Sequence, residues 1–191
     1  MTPPESQDTT AAEGALGLAY NLGARKVGYS FIESPMRLGF WRSVGHSYNG
    51  FFTESFIDEL ANEANTDPYA FRAKLLPSNS RQKKVLDKVA EISGWNSDLP
   101  EGKNRGIAFH ESFGSIVAQV AEISINSEKE FSIDKVFCVI DCGNYVNPDT
   151  ILAQMQSGIV FGLTAAVYGE ITIEEGKIQQ SNFPNYEMLK L

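Results

Sequence analysis

The sequence predicts an α+β fold, with mixed or antiparallel strands packed against about four helices. Three observations predict it. Helical spacing of apolar residues appears in three neighbouring stretches between residues 50 and 95 and once more after residue 147. Three segments rich in β-branched and aromatic residues follow one another between residues 105 and 141, with no helix between them. The order that results is strand, three helices, three strands, helix and hairpin, which does not alternate as a doubly wound parallel sheet requires.

Residues 1–13, MTPPESQDTTAAE, are polar and proline-bearing and read as a structureless tail. In 25–33, RKVGYSFIE, strand period puts Val27, Tyr29 and Phe31 on one face. Pro35 and Gly39 interrupt before GFWRSVGHSYNG, which reads as a loop. The first helix follows, with Phe52, Phe56, Leu60 and Ala64 as its apolar stripe. Asp67-Pro68 opens the second helix: a capping carboxylate, then proline at the first helical position. That helix runs to about Leu76 and stops at Pro77. The third carries Val85, Val89 and Ile92 on one side and ends at Gly94. Strands are expected over Arg105–Phe113, Ser115–Ile125 and Ile133–Asp141, with NSEKE turning between the last two. Asn147-Pro148 caps a helix of about twenty residues whose buried stripe is Ile151, Met155, Ile159 and Leu163. Gly158 and Gly162 leave room on it for close packing. A hairpin turning at Glu175-Gly176 closes the order.

With 191 residues the chain is long enough for one domain or two small ones with a real core. Its net charge of −8 repels phosphate backbones and disfavours a nucleic-acid partner. No uninterrupted apolar run reaches the roughly 18–20 residues that span a bilayer, and no signal peptide is recognised. Cys138 and Cys142 lie four residues apart on one expected strand, about 13 Å. A disulfide needs Cα atoms within about 7 Å, so the two are read as small buried hydrophobes. His46 and His110 are distant in sequence, and His110-Glu111 lacks the second histidine of a zinc-protease helix, so no protein-built metal site is assigned. Gly45-His46-Ser47-Tyr48-Asn49-Gly50 has one residue too many for a serine-hydrolase elbow, and a helix-capping serine is the plainer reading. No phosphate-binding glycine loop is present. Glu54/Asp58 and Glu59/Glu63 stand at i,i+4 spacing and read as a solvated helix face.

Three further segments carry a resemblance. They are Gly39-Phe40-Trp41-Arg42-Ser43-Val44-Gly45-His46-Ser47 leading into Phe51–Ala61; Asp141-Cys142-Gly143-Asn144-Tyr145-Val146-Asn147-Pro148-Asp149 leading to Gln154 and Gly158; and Tyr168–Thr172 leading to Gln180-Ser181-Asn182-Phe183 and Tyr186. Together, in this order, they resemble the molybdopterin-binding subunits of the aldehyde oxidase/xanthine dehydrogenase family, within it those of isoquinoline 1-oxidoreductase type. The similarity runs from about residue 14 to the end, so 14–191 is expected to be a partial molybdenum-cofactor-binding domain, helical over about 50–95 and strand-rich over about 104–191.

The resemblance implies a molybdenum held by the dithiolene of molybdopterin, in its plain or its cytosine dinucleotide form, with the protein supplying hydrogen bonds instead of metal ligands. By carry-over Trp41 and Arg42 lie against the metal centre, with Ser43 and Gly45 allowing close approach. From chemistry alone, an arginine capping loop carbonyls beside a buried tryptophan is an equal reading. Asn147 and Gln154 correspond to a second cofactor contact at a helix N-terminus. The alternative there is an ordinary cap and a solvent-facing glutamine. Val44 takes the place of an aromatic residue found in purine-oxidising relatives, which argues against a flat purine substrate.

The implied activity is oxidation of an N-heterocycle or aldehyde with water as oxygen source, electrons leaving through a small iron–sulfur subunit. The family's catalytic glutamate lies in a glycine-rich segment after the NFPNY region. Neither Glu170 nor Glu187 matches it, so no catalytic residue is assigned. The chain is therefore expected to be a piece of the large subunit that is inactive and retains no cofactor alone. It is expected to pair with the remainder of that subunit, or to self-associate. The resemblance implies a periplasmic or cytoplasmic enzyme. The competing reading is a non-catalytic binding or assembly module descended from the same family.

Overall fold

The structure is a computed structural model and describes residues 9–189. It divides into two compact units, residues 1–143 and 144–191. The first eight residues of the expected tail lie outside the described residues. Thr9–Ala12 form a short 3-10 turn, held where Asn49 Nδ2 donates to the carbonyls of Ala11 (2.9 Å) and Glu13 (2.8 Å).

The first unit contains α1 (Gly45–Glu63), α2 (Pro68–Leu75), α3 (Arg81–Ser93) and the strands β1 (Lys103–Ser112), β2 (Ser115–Ile125) and β3 (Phe131–Asp141). The strands form one antiparallel sheet in the order β1-β2-β3. The α+β expectation holds, and the sheet is wholly antiparallel. Local chemistry sets each boundary. Asp67 accepts from the Ala70 amide and starts α2; Ser80 accepts from the Lys83 amide and starts α3; Gly94, at φ 62°, ends α3 in the left-handed conformation. Phe113 (φ 49°) and Gly114 (φ 81°) make the two-residue β1–β2 turn, as a primed hairpin turn requires. Asn126 accepts from the amides of Glu128 and Glu130 and closes the β2–β3 turn.

The core lies between α3 and one face of the sheet. Ile107 and Phe109 of β1 and Ile116, Ala118 and Val120 of β2 alternate inward, and Val85, Leu86, Val89 and Ala90 cover them. Three expectations are corrected here. Residues 25–33 form no strand: the sheet's order leaves this segment without a strand partner, and Val27, Tyr29 and Phe31 are exposed. Helix α1 begins at Gly45, inside the expected loop, and buries Glu54, Ile57 and Ala61 while Phe52 and Phe56 are 60% and 57% exposed. The buried stripe is turned one residue, about 100°, from the apolar one. On α3, Ile92 is exposed and Leu86 takes its place inside.

The second unit holds α4 (Pro148–Tyr168) and the hairpin β4 (Ile173–Glu174) and β5 (Lys177–Ile178), turning at Glu175 (φ 48°) and Gly176 (φ 75°) as expected. The α4 stripe Ile151, Met155, Ile159 and Leu163 is half-buried, and among the described residues of this helix only Thr164 is fully so. A Cβ built at Gly158 or Gly162 meets nothing within 4 Å. At 21 residues, α4 is long and apolar enough to cross a membrane by length and composition. Scattered polar residues such as Gln154 and Gln156 hide this from a search for unbroken apolar runs.

Candidate functional site

Trp41, Arg42, Ser43 and Gly45 come together in the turn that feeds α1. The Val44 amide donates to the Trp41 carbonyl (3.0 Å), and the His46 amide to the Ser43 carbonyl (3.0 Å). Ser43 (φ 70°) and Val44 (φ 50°, ψ −131°) both occupy positive φ. Such a conformation in a β-branched residue is strained and persists only where its surroundings impose it. No side chain caps α1, and Ser47, read as a capping serine, lies within the helix. Trp41, Arg42 and Ser43 are exposed.

Gly45 is different. It is buried, and a Cβ there would overlap the Thr10 carbonyl oxygen and stand 3.2 Å from Glu13. What approaches Gly45 closely is the chain's own 3-10 turn. Gly45→Ala is expected to cost about 1–3 kcal/mol of stability, because a backbone atom must yield. An unchanged thermal midpoint would show that residues 10–13 swing clear without loss.

Two polar constellations behind this turn escaped the sequence reading. In the first, Arg72 is fully buried. Its Nε donates to Glu54 Oε2 (2.9 Å), Nη2 to the Glu54 carbonyl (3.0 Å), and Nη1 to Asp58 Oδ1 (2.6 Å) and the Pro68 carbonyl (3.2 Å). Glu54 also accepts from the Tyr20 hydroxyl (2.8 Å) and the Phe109 amide (3.0 Å). Burial pushes the Glu54 carboxyl upward, and Arg72, Phe109 and Tyr20 pull against it. Burial, then the Glu54 charge, pushes the Tyr20 hydroxyl far up, so it stays a donor. The expected solvated face at Glu54/Asp58 is thus corrected. The pair straddles a buried cation, and the available signal was two carboxylates one turn apart facing an arginine on the next helix.

In the second, His46 Nδ1 meets His110 Nε2 at 2.9 Å, joining α1 to β1. Burial, then His46, holds His110 below the usual imidazole range, with Glu111 opposing. A cavity of about 20 Å³ lies beside His110, lined also by Gly14, Tyr20, Thr53, Glu54 and Phe109 among others. That is room for about one water and not for an organic cofactor. Among the described residues no group of three or more His, Cys, Asp or Glu could hold a metal ion. Cys138 and Cys142 are both free and half-buried, less enclosed than expected.

Asn147 and Gln154 belong to the second unit. Asn147 caps α4, its Oδ1 accepting from the amides of Asp149 (2.9 Å) and Thr150 (3.4 Å). Gln154 is exposed two turns on.

Residues 57–191 match the family described as the molybdopterin cofactor-binding domain. The chain is 32% identical over 178 residues to the beta chain of the isoquinoline 1-oxidoreductase of Brevundimonas diminuta, covering 91% of this chain and 23% of that protein. It is 25% identical over 195 residues to a membrane-bound aldehyde dehydrogenase [pyrroloquinoline-quinone] of Gluconacetobacter polyoxogenes, covering 90% and 25%. It is 26% identical over 188 residues to a nicotinate dehydrogenase subunit of Pseudomonas putida, covering 89% and 16%. The chain therefore spans a quarter or less of the length of these relatives.

Proposed function

Because this chain belongs to the molybdopterin cofactor-binding domain family, we propose that it forms part of the molybdopterin-binding subunit of a molybdenum hydroxylase, with the Trp41–Gly45 turn against the cofactor. The observation that carries this reading is the exposed, strained turn itself. It carries an indole, a guanidinium and a hydroxyl on three successive exposed residues, with the backbone at positive φ at Ser43 and Val44. That donor set fits a group rich in anionic and acceptor oxygens.

When bound, the cofactor supplies oxidation of an electron-poor carbon with water as oxygen source. The chain's own residues bind and orient. Arg42 offers a rigid fork of donors. Ser43 adds a hydroxyl, and Val44 leaves space where an aromatic would stack on a purine. The substrate class is thus an N-heterocycle of isoquinoline type or an aldehyde. Asn147 spends its acceptor on its own helix, so its part in a second contact falls to its amide N–H₂, alongside the Gln154 side chain. The remainder of the large subunit covers the exposed aromatic face of α1 and the open side of α4, and a small iron–sulfur subunit takes the electrons. Exposure of Trp41 in the preceding turn and of Phe51 and Phe52 on α1 supports such a cover.

The test uses the full-length subunit assembled with its partner. Arg42→Ala is expected to lower retained molybdenum or turnover by about 10–100-fold, the scale of losing a supporting contact. Wild-type metal content and turnover in that variant would remove the turn from the cofactor site. The 191-residue chain alone is expected to hold far less than one molybdenum by elemental analysis. Full occupancy would show that it needs no further walls.

A further inference from the structure

We propose that the His46–His110 hydrogen bond fastens the Trp41–Gly45 turn in its strained, donor-presenting form and releases it when the pair takes up a second proton. This rests on the turn being the cofactor contact, and it adds positioning residues and a control by pH.

The geometry carries it. His46 sits in the first turn of α1, and its own amide bonds the carbonyl of strained Ser43 (3.0 Å). His110 sits on β1, paired along its length with β2. The 2.9 Å contact between Nδ1 and Nε2 therefore ties the turn's far side to the sheet. The site is shaped for two rings. A Cβ at Gly14 would stand 3.1 Å from His110 Cε1 and 3.2 Å from His46 Nδ1; one at Gly50 would stand 3.3 Å from His110 Nδ1. The Phe113 ring closes on His46 at 5.0 Å. A non-glycine turn at positive φ carries a cost that its surroundings must offset, beyond its own two amide–carbonyl bonds.

Chemistry supplies the release. A hydrogen bond between imidazoles needs one N–H and one lone pair. Two neutral rings satisfy it, and so does a pair sharing one added proton. Two imidazolium rings do not, since both nitrogens then donate and the charges repel. The charged groups around the pair are Glu111 on β1, Glu54 on α1 across the shared cavity, and Glu13 beside Gly14; Tyr20 is the neutral titratable neighbour. Glu111 favours a charge on the His110 ring, while burial and the His46 ring disfavour it. His110 is held below its ordinary value, so its contribution to stability is present above the ordinary imidazole range. It is lost as pH falls through the lowered value.

The chain has only two histidines, so imidazole nitrogen NMR of the 191-residue chain reads both without ambiguity. Two steps separated by about one pH unit or more are expected, the sign of a coupled pair. Trp41 reports the turn by fluorescence once Trp95→Phe removes the other tryptophan. Its emission is expected to change with the lower step. In His46→Asn, whose amide bonds His110 without taking a proton, the turn is expected to stay closed and the acid response to vanish. Two independent titrations at ordinary values, or a Trp41 signal blind to the lower step, overturn the proposal. So does His46→Asn responding to acid like the parent. None of these readouts needs molybdenum. If the fastener holds while Arg42→Ala leaves the full enzyme's metal content intact, the cofactor reading fails and the clamp stands.

Discussion

Replacing Arg72 with methionine is expected to destabilise the first unit by about 3–5 kcal/mol, as removal of one partner from a buried ion pair does. Arg72 is fully buried, and both Glu54 and Asp58 bond it. Methionine fills much of the same volume, so the loss is one of charge and not of packing. Glu54 would keep the Tyr20 hydroxyl and the Phe109 amide. Those two neutral donors do not balance a carboxylate held away from water. Glu54→Gln in the Arg72→Met background should recover part of the loss, because it removes the stranded charge. Urea unfolding of the parent, both single variants and the double gives the coupling directly. A cost under about 1 kcal/mol for Arg72→Met would mean that water reaches the pair and that it behaves as a surface ion pair.

Leu86→Ala is expected to cost about 2–5 kcal/mol, the range for emptying a packed aliphatic site. Leu86 is fully buried on α3, in the cluster that includes Ile116, Ala118 and Val120 of the central strand. Strand and helix backbones fix that gap on both sides, so it collapses poorly. Ile92→Ala is the internal control. Ile92 is 44% exposed on the same helix, and its replacement should shift stability by about 0.5 kcal/mol or less. Calorimetry on both variants separates the two faces. Equal losses would place the helix in a rotation other than the one described.

The sequence was most legible where local chemistry decides. Asp67-Pro68, Gly94, Asn147-Pro148 and Glu175-Gly176 each act within a few residues, and each sets the expected boundary. The meander β1-β2-β3 was legible for the same reason, because its strands are neighbours in the chain. Tertiary competition hid the rest. Two stripes on α1 have helical spacing, and the more apolar one, through Phe52 and Phe56, is the exposed one. The inner stripe is chosen by Arg72, which lies 18 residues from Glu54, and by the Phe109 amide, 55 residues away. Periodicity carries no information about partners so distant. The strand pattern at 25–33 failed because alternation describes a surface, not the edge that must receive it. At the candidate site, the turn 41–45 was readable as small residues around an arginine. The His46–His110 contact that backs it spans 64 positions and was not.

The three-stranded sheet has β2 at its centre, so β1 and β3 each keep one side of their backbone unladdered within it. At ten and eleven residues, these are long rims. On β3 that side is a row of amides and carbonyls to which an extended segment could add a strand, whereas on β1 the Phe109 amide is already bonded to Glu54 of α1. Lys103 and Arg105 of β1 reach across the sheet to Asp134 and Glu122, so these charges pair with one another and do not guard the rims. The open side of β3 is therefore where strand-to-strand association is expected to begin.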